Sequence, residues 1–487
     1  MSKRLRWRVR PWAVLVCLSL ALTACATTIN GKPSVGNAPN AHLNVKGTDG
    51  GAFDTTVQNA LADIESFWRT EYPKISGGKS LQPLRGGLYS VDGLKVAETK
   101  QLSGPAEQNA CAQKSIAFVI DNGAFCTLDD SISWDRSPTH LFARLAQKYG
   151  PLVVALIFAH EFGHAISYRL GVFNKDLPTI DTESQADCAA GAWAASALKG
   201  QDPHFRNVTA AKLDNALEGY LDGRDGTPTT LQDVSHGNGF DRLSAVADGL
   251  DNGPTYCFSS RYFDRTFTER PYSDPQDYSQ GGNSPLSEVL APESSNYFAQ
   301  DLNRFWVKEA KTVSKTFTPV KLAAAEHPKC GAAAQSEFGY CAADNTVYYS
   351  AAFAKTIYDS LPGVDIDDTN GDVTLVDNQP GDFAVGVMMA IGWGLAVRHQ
   401  LFQRSTEDKA ALIAAICYSG SYAKDVNIRQ DQITDQKIYL SPSDLDEAVS
   451  AMLDQVGKPE AFGARGTSGL DRVQAFVKGY KDGLSRC

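Results

Sequence analysis

Positive charge is scarce in this sequence. Its 487 residues hold 46 Lys and Arg against 56 Asp and Glu, a formal net charge of −10. Several of those cations crowd into the opening stretch MSKRLRWRVR, so the rest of the chain is more acidic still. A surface so poor in Lys and Arg argues against nucleic acid as a principal partner. The apolar run that follows, PWAVLVCLSLALTA at residues 11–24, falls short of the ~20 residues of a membrane-spanning helix. Histidine is scarce too, with 8 in the chain. At such a frequency the pattern HExxH arises by chance in on the order of one sequence in a hundred.

What is present begins with an export signal. A basic start and a short apolar run lead to LTAC, Leu22 to Cys25, which resembles the bacterial lipobox. Residues 1–24 are then removed, and Cys25 is lipidated and held at the extracytoplasmic face of the cell membrane; a conventional signal would leave Cys25 free. Residues 25–55, polar and scattered with Gly, Pro and Asn, read as a flexible tether. The balance of 43% hydrophobic and 21% charged residues is that of a folded chain, long enough for two domains.

An internal repeat gives those domains their bounds. IESFWRTEY (64–72) answers to LNRFWVKEA (302–310), GAFCTLDDSISW (123–134) to FGYCAADNTVYY (338–349), and ADCAAGAWA (186–194) to AICYSGSYA (415–423). GFDRLSAVADGLDNGPTYC (239–257) matches GLDRVQAFVKGYKDGLSRC (469–487) without a gap. We read residues 56–257 as one copy, 258–292 as a linker whose aromatics pack on the domains, and 293–487 as a second copy. The second carries an acidic insertion, Leu361 to Asp382, read as a solvated loop because it lacks the Gly and Glu frame of an EF-hand.

Of ten cysteines, Cys17 would leave with the signal and Cys25 would carry lipid; the eight that remain, outside the cytoplasm, suggest disulfides, with on the order of a hundred pairings open to them. The repeat narrows the choice, since Cys188 to Cys257 spans 69 positions and Cys417 to Cys487 spans 70. A duplicated fold duplicates its bridges, which predicts Cys111 with Cys126, Cys330 with Cys341, Cys188 with Cys257, and Cys417 with Cys487. Each would contribute roughly 2 to 5 kcal/mol. The alternative is that Cys188 and Cys417 are buried free thiols.

The chemistry-bearing stretch is GPLVVALIFAHEFGHAISYRLG (150–171), where Pro at the start and Gly at the stop frame one buried helix. His160 and His164 then share a face and can reach one zinc ion at about 2.0–2.1 Å, with Glu161 beside the open position. A third ligand is expected from DTESQADCAAGAWAASALKG (181–200), a helix with a capping-box pattern from Thr182 to Gln185. Glu183 would complete a His2Glu set like that of thermolysin, and Asp187, one turn on, would receive the free ring N–H of a ligating histidine. The bland alternatives are two histidines satisfied in a core helix and a solvated Asp187.

HEFGH, ESQADCAAGAWA and HGNGFDR (236–242) together resemble the bacterial neutral zinc metallopeptidase family, a gluzincin-like group whose usual forms are HEFGHH, ELQADCFAGVW and HGTSEQR. Among the departures are Ala165, Ser184, Gly239, Phe240 and Asp241. The resemblance implies a zincin-like fold, helix-rich α+β, with a small sheet that we place at YSVDGLKVA (89–97) and SIAFVI (115–120). It also implies that His236 steadies the oxyanion in the cleft, against the alternative of an exposed loop histidine. Arg242 and Tyr168 are read as structural.

In the second copy Ile391, Gly392 and Leu395 stand at His160, Glu161 and His164, while Leu412 and Ile416 stand at Glu183 and Asp187; Gly466 or Arg465 stands at His236. The second copy is therefore expected to be zinc-free. Together these features predict a lipid-anchored peptidase with one zinc per chain, in which Glu161 is the general base and a peptide or protein is the substrate. Two alternatives stay open: a surface scaffold whose second copy recognises a protein partner, and a zinc amidase acting on cell-wall peptides.

Overall fold

The computed structural model describes residues 38–172, 177–222, 236–268, 282–291, 296–324, 330, 337–359, 361–367, 372–379, 381–430, 438–453 and 466–487. The expected signal peptide, Cys25 and Arg465 lie outside them. The fold is α+β and helix-rich.

In the first half, β1 (Val45–Lys46), α1 (Ala52–Ile75), β2 (Gly87–Val91), α2 (Gly93–Thr99) and α3 (Ala110–Lys114) precede β3 (Gly123–Cys126) and β4 (Ser131–Asp135). Four longer helices and one short one follow: α4 (Leu141–Tyr149), α5 (Pro151–Leu170), α6 (Thr179–Leu198), α7 (Ala210–Leu221) and α8 (Gly239–Cys257). The sheet runs β1-β2-β4-β3, parallel except for the last pair, so β3 is an antiparallel edge strand.

The second half begins with α9 (Leu286–Val289) and α10 (Tyr297–Thr312), then β5 (Lys321–Ala324), β6 (Phe338–Cys341) and β7 (Thr346–Tyr349). It continues with α11 (Ala351–Asp359), β8 (Leu361–Asp367), β9 (Asp372–Gln379), α12 (Asp382–Phe402), α13 (Lys409–Gln430), α14 (Asp444–Leu453) and α15 (Gly469–Asp482). Its sheet, β5-β7-β6, repeats the pairing senses of β2-β4-β3.

Each half is built around one apolar helix. Gly150, at φ 84°, turns the chain into Pro151, whose missing N–H costs nothing at a helix start, and Gly171 stops α5 in the left-handed region at φ 73°. α5 packs against α1, α4, α6, α7 and β3, and α12 packs against α10, α11, α13, α14 and β6. Both are long and apolar enough to cross a membrane, yet most of each is buried within the protein. A helix apolar on all sides must be covered on all sides.

Glycines let α6 and α8 meet backbone to backbone. A Cβ on Gly191 would stand 2.0 Å from the Val246 carbonyl oxygen, and one on Gly249 would stand 1.9 Å from that of Cys188. The same contact joins α13 to α15, where Gly420 meets Phe476 at 2.1 Å and Gly479 meets Cys417 at 1.8 Å. Disulfides close both contacts, Cys188 with Cys257 and Cys417 with Cys487. Cys111 is joined to Cys126 and Cys330 to Cys341, the pairing drawn from the repeat.

Several expectations need correction. Residues 38–55 belong to the fold rather than to a tether: Val45 and Lys46 pair with Leu88 and Tyr89, and α1 begins at Ala52. SIAFVI is not a strand; Ile116–Val119 is a 3-10 turn that sets Val119 against Tyr89, Val91 and Val96. YSVDGLKVA changes state midway, because the Asp92 side chain accepts from the Lys95 N–H and starts α2. The 361–382 insertion contains the antiparallel hairpin β8–β9, whose β-branched residues Val364, Ile366, Val373, Thr374 and Val376 suit a strand. α6 starts at Thr179, so Thr182 is no cap: its hydroxyl donates to the Thr179 carbonyl, and Gln185 bonds Ser167 and Cys257. In the 258–292 linker, by contrast, the expected packing of aromatics is seen: Tyr262, in the 3-10 turn Ser260–Asp264, is buried with its hydroxyl on Ser184.

Candidate metal centre

α5 and α6 touch where both offer small residues. A Cβ on Gly163 would lie 2.8 Å from the Ala189 methyl and 3.0 Å from the Ala186 Cα. This close approach brings the histidines of α5 to the acids of α6. His160 Nε2 and His164 Nε2 are 3.1 Å apart, and Glu183 Oε2 lies 3.0 Å from the first and 3.1 Å from the second. These three residues form a group able to hold a metal ion. Tetrahedral donors at about 2.0–2.1 Å from an ion stand roughly 3.3 Å apart, close to the observed spacing.

The proton inventory also fits a cation. His160 Nδ1 lies 2.7 Å from Asp187 Oδ1, an acceptor, so Nδ1 carries the hydrogen and Nε2 aims its lone pair at the Glu183 oxygen. Two acceptors at 3.0 Å repel unless a proton or a cation sits with them. Burial alone would lower the His160 imidazole, but Asp187, Glu183 and Glu161 outweigh it and hold it up at about 10. Burial would likewise raise the Glu183 carboxyl, yet His164 and His160 hold it well below the usual carboxylate range. Two imidazoles and a carboxylate form a donor set that could hold a transition-metal ion.

Asp187 is fully buried and fixed from three sides. Burial pushes its carboxyl up, but Arg242 and His160 pull it down to about 2. Arg242 Nε and Nη2 donate to its two oxygens, each at 3.1 Å, and the Arg242 guanidinium lies 4.4 Å over the Tyr220 ring. The Tyr220 hydroxyl donates to Asp187 Oδ1 and stands 3.1 Å from His160 Nδ1. Sequence reasoning missed Tyr220, which sits on α7 in no motif. Arg242 lies against Asp187, and Tyr168 lies apart, with its hydroxyl near Arg85.

Glu161 borders the group without joining it. Its Oε1 is 3.9 Å from His160 Nε2, while Oε2 accepts the Phe125 N–H of the edge strand β3 at 2.8 Å. His236 precedes α8, has a side chain 44% exposed and places Nε2 3.7 Å from Glu183 Oε2. A cleft of about 210 Å³ opens here, lined among others by Asn122, Phe142, Glu161, Tyr220 and His236.

The corresponding positions of the second half, Ile391, Leu395, Leu412 and Ile416, are buried apolar residues. A different acidic group, Asp382, Asp444 and Glu447, lies in that half. Burial, with Asp382 nearby, pushes the Glu447 carboxyl well above its ordinary range. No family model, curated protein or solved structure matches this chain.

Proposed function

We propose that the chain is a zinc-dependent peptidase whose first half carries the reaction, lipid-anchored through Cys25 at the extracytoplasmic face of the bacterial cell membrane. The observation that carries this reading is the mutual 3.0–3.1 Å spacing of His160, His164 and Glu183, with Glu161 outside the triangle. Three protein donors leave a position for water, whereas structural zinc sites close with four. Bound there, zinc would supply Lewis acidity, lowering the pKa of a coordinated water toward about 7.

The remaining work falls to the chain. Glu161 takes the proton of the attacking water and later returns it to the leaving amine; the Phe125 N–H on its other oxygen fixes the carboxylate's direction. His236 at the cleft mouth is suited to donate a hydrogen bond to the developing oxyanion. The edge strand β3, beside Asn122 and Gly123 of the cleft, offers backbone to an extended peptide.

We propose further that the halves are tandem copies of one zincin-like domain, the second zinc-free, in keeping with the metallopeptidase resemblance. The repeated sheet senses, helix contacts and disulfides support this. Purified protein should hold zinc near one per chain and cleave members of a broad peptide library. Chelation and Glu161→Gln should each abolish cleavage, the latter with zinc retained. Zinc without cleavage in the wild type would favour a scaffold, and absence of zinc would sink the enzyme reading.

A further inference from the structure

The first turn of an α-helix leaves backbone N–H groups without partners, and a carboxylate there is favoured by the helix dipole. α8 receives that carboxylate from the opposite half. Asp446 on α14 accepts the N–H of Gly239 through Oδ2 and of Phe240 through Oδ1, each at 2.8 Å and buried. The local cap, Asn238, takes only the Asp241 N–H, at 2.8 Å. Phe240 extends the contact, with its ring 4.9 Å from that of Tyr480 and 6.0 Å from that of Phe476. A Cβ on Gly239 would come within 3.1 Å of the Asp446 carboxyl carbon, so a bare backbone suits the contact. Gly239 and Phe240 are also two of the positions at which HGNGFDR departs from the pattern it resembles.

We infer that Asp446, from the half without metal ligands, is a positioning residue for the metal centre. The turn it holds lies between His236 at the cleft and Arg242, whose guanidinium fixes Asp187 and through it His160. If that turn frays, the Arg242 fork loses its aim, and with it the orientation of a ligand imidazole. The second half thus completes the site without touching it. This rests on the metal reading above.

The molecule contains its own control. Asp214 on α7 makes the mirror contact, accepting the N–H of Gly469 at 2.6 Å and of Leu470 at 2.7 Å at the start of α15. There Arg472, in the place of Arg242, donates to the Met452 carbonyl, and the positions that correspond to His160, His164 and Glu183 are Ile391, Leu395 and Leu412. Two like caps therefore differ in what they support.

The test compares full-length wild type with Asp446→Ala, Asp446→Asn and Asp214→Ala, reading zinc affinity by competition with a chromophoric chelator and amide exchange at Gly239 and Phe240. Asp446→Ala should deprotect both amides and weaken zinc binding about ten-fold, as loss of an outer support does, with Asp446→Asn intermediate. Asp214→Ala should lower thermal stability while keeping zinc affinity within about two-fold of wild type. If Asp446→Ala does not fold, Asp446→Asn decides. Equal zinc affinity in the Asp446 and Asp214 variants would overturn the inference alone. A wild type that takes up no zinc would overturn it together with the reading beneath it.

Discussion

Asp187 and Arg242 form a two-pronged ion pair inside the protein, both hydrogen bonds at 3.1 Å. A lysine can supply the charge but not the planar fork, so Arg242→Lys is not conservative here. Breaking this pair should cost about 3 kcal/mol in denaturant unfolding, because a buried carboxylate is left poorly matched. Zinc affinity should fall with it. Unchanged unfolding would show that the pair is not held as described.

Tyr220→Phe removes one hydroxyl from the Asp187 shell and leaves the ring under Arg242. Zinc affinity should drop about ten-fold with little loss of thermal stability, the pattern of a residue that aims a ligand rather than packing a core. A large fall in stability with zinc affinity intact would assign Tyr220 to packing instead.

Zinc bound as proposed would have to displace the proton that His160 holds with its value raised to about 10. The metal-free site is therefore protonated at neutral pH, and uptake should release about one proton per ion. Apparent affinity should rise close to ten-fold per unit from pH 7 to 9, measured by titration at fixed ionic strength. A flat profile would mean that the Nε2 atom meets the metal already free of its proton.

Glu447 gives a stability profile of opposite origin. Unfolded, a glutamate titrates near pH ~4.3, and folded, burial together with Asp382 holds Glu447 well above that. The folded state keeps a proton that the unfolded chain releases, so this group's contribution is fully present below about 4.3 and is lost as pH rises toward the folded value. Glu447→Gln cannot ionise, and should match wild type in thermal midpoint near pH 4 while gaining on it progressively toward pH 8. A difference that does not change with pH would contradict the raised value.

Much of this was legible because local signals agreed. Gly150, Pro151 and Gly171 punctuate α5, and the one-turn spacing of His160 and His164 needs no tertiary information. The disulfide pairs came from comparing the halves, since no spacing rule would have chosen among them. Tyr220 was not legible, because its place beside Asp187 depends on how α7 packs against α5. SIAFVI misled because an apolar run has no period of its own, and a 3-10 turn buries Val119 as well as a strand would. The start of α6 was misplaced because Thr182 sits one turn inside the helix, where its hydroxyl returns to the backbone.

The contact of α6 with α8 has a mechanical consequence. Where Gly191 meets Val246 and Gly249 meets Cys188, no side chains lie between the backbones to compress or rotate, and a disulfide pins the same pair. Glu183 and Asp187 on one helix and Arg242 on the other therefore belong to a stiff frame, of which Arg242 lines the cleft. Whatever accommodates differently shaped guests must yield on the opposite side, at the β3 edge, or at the exposed rim that carries His236.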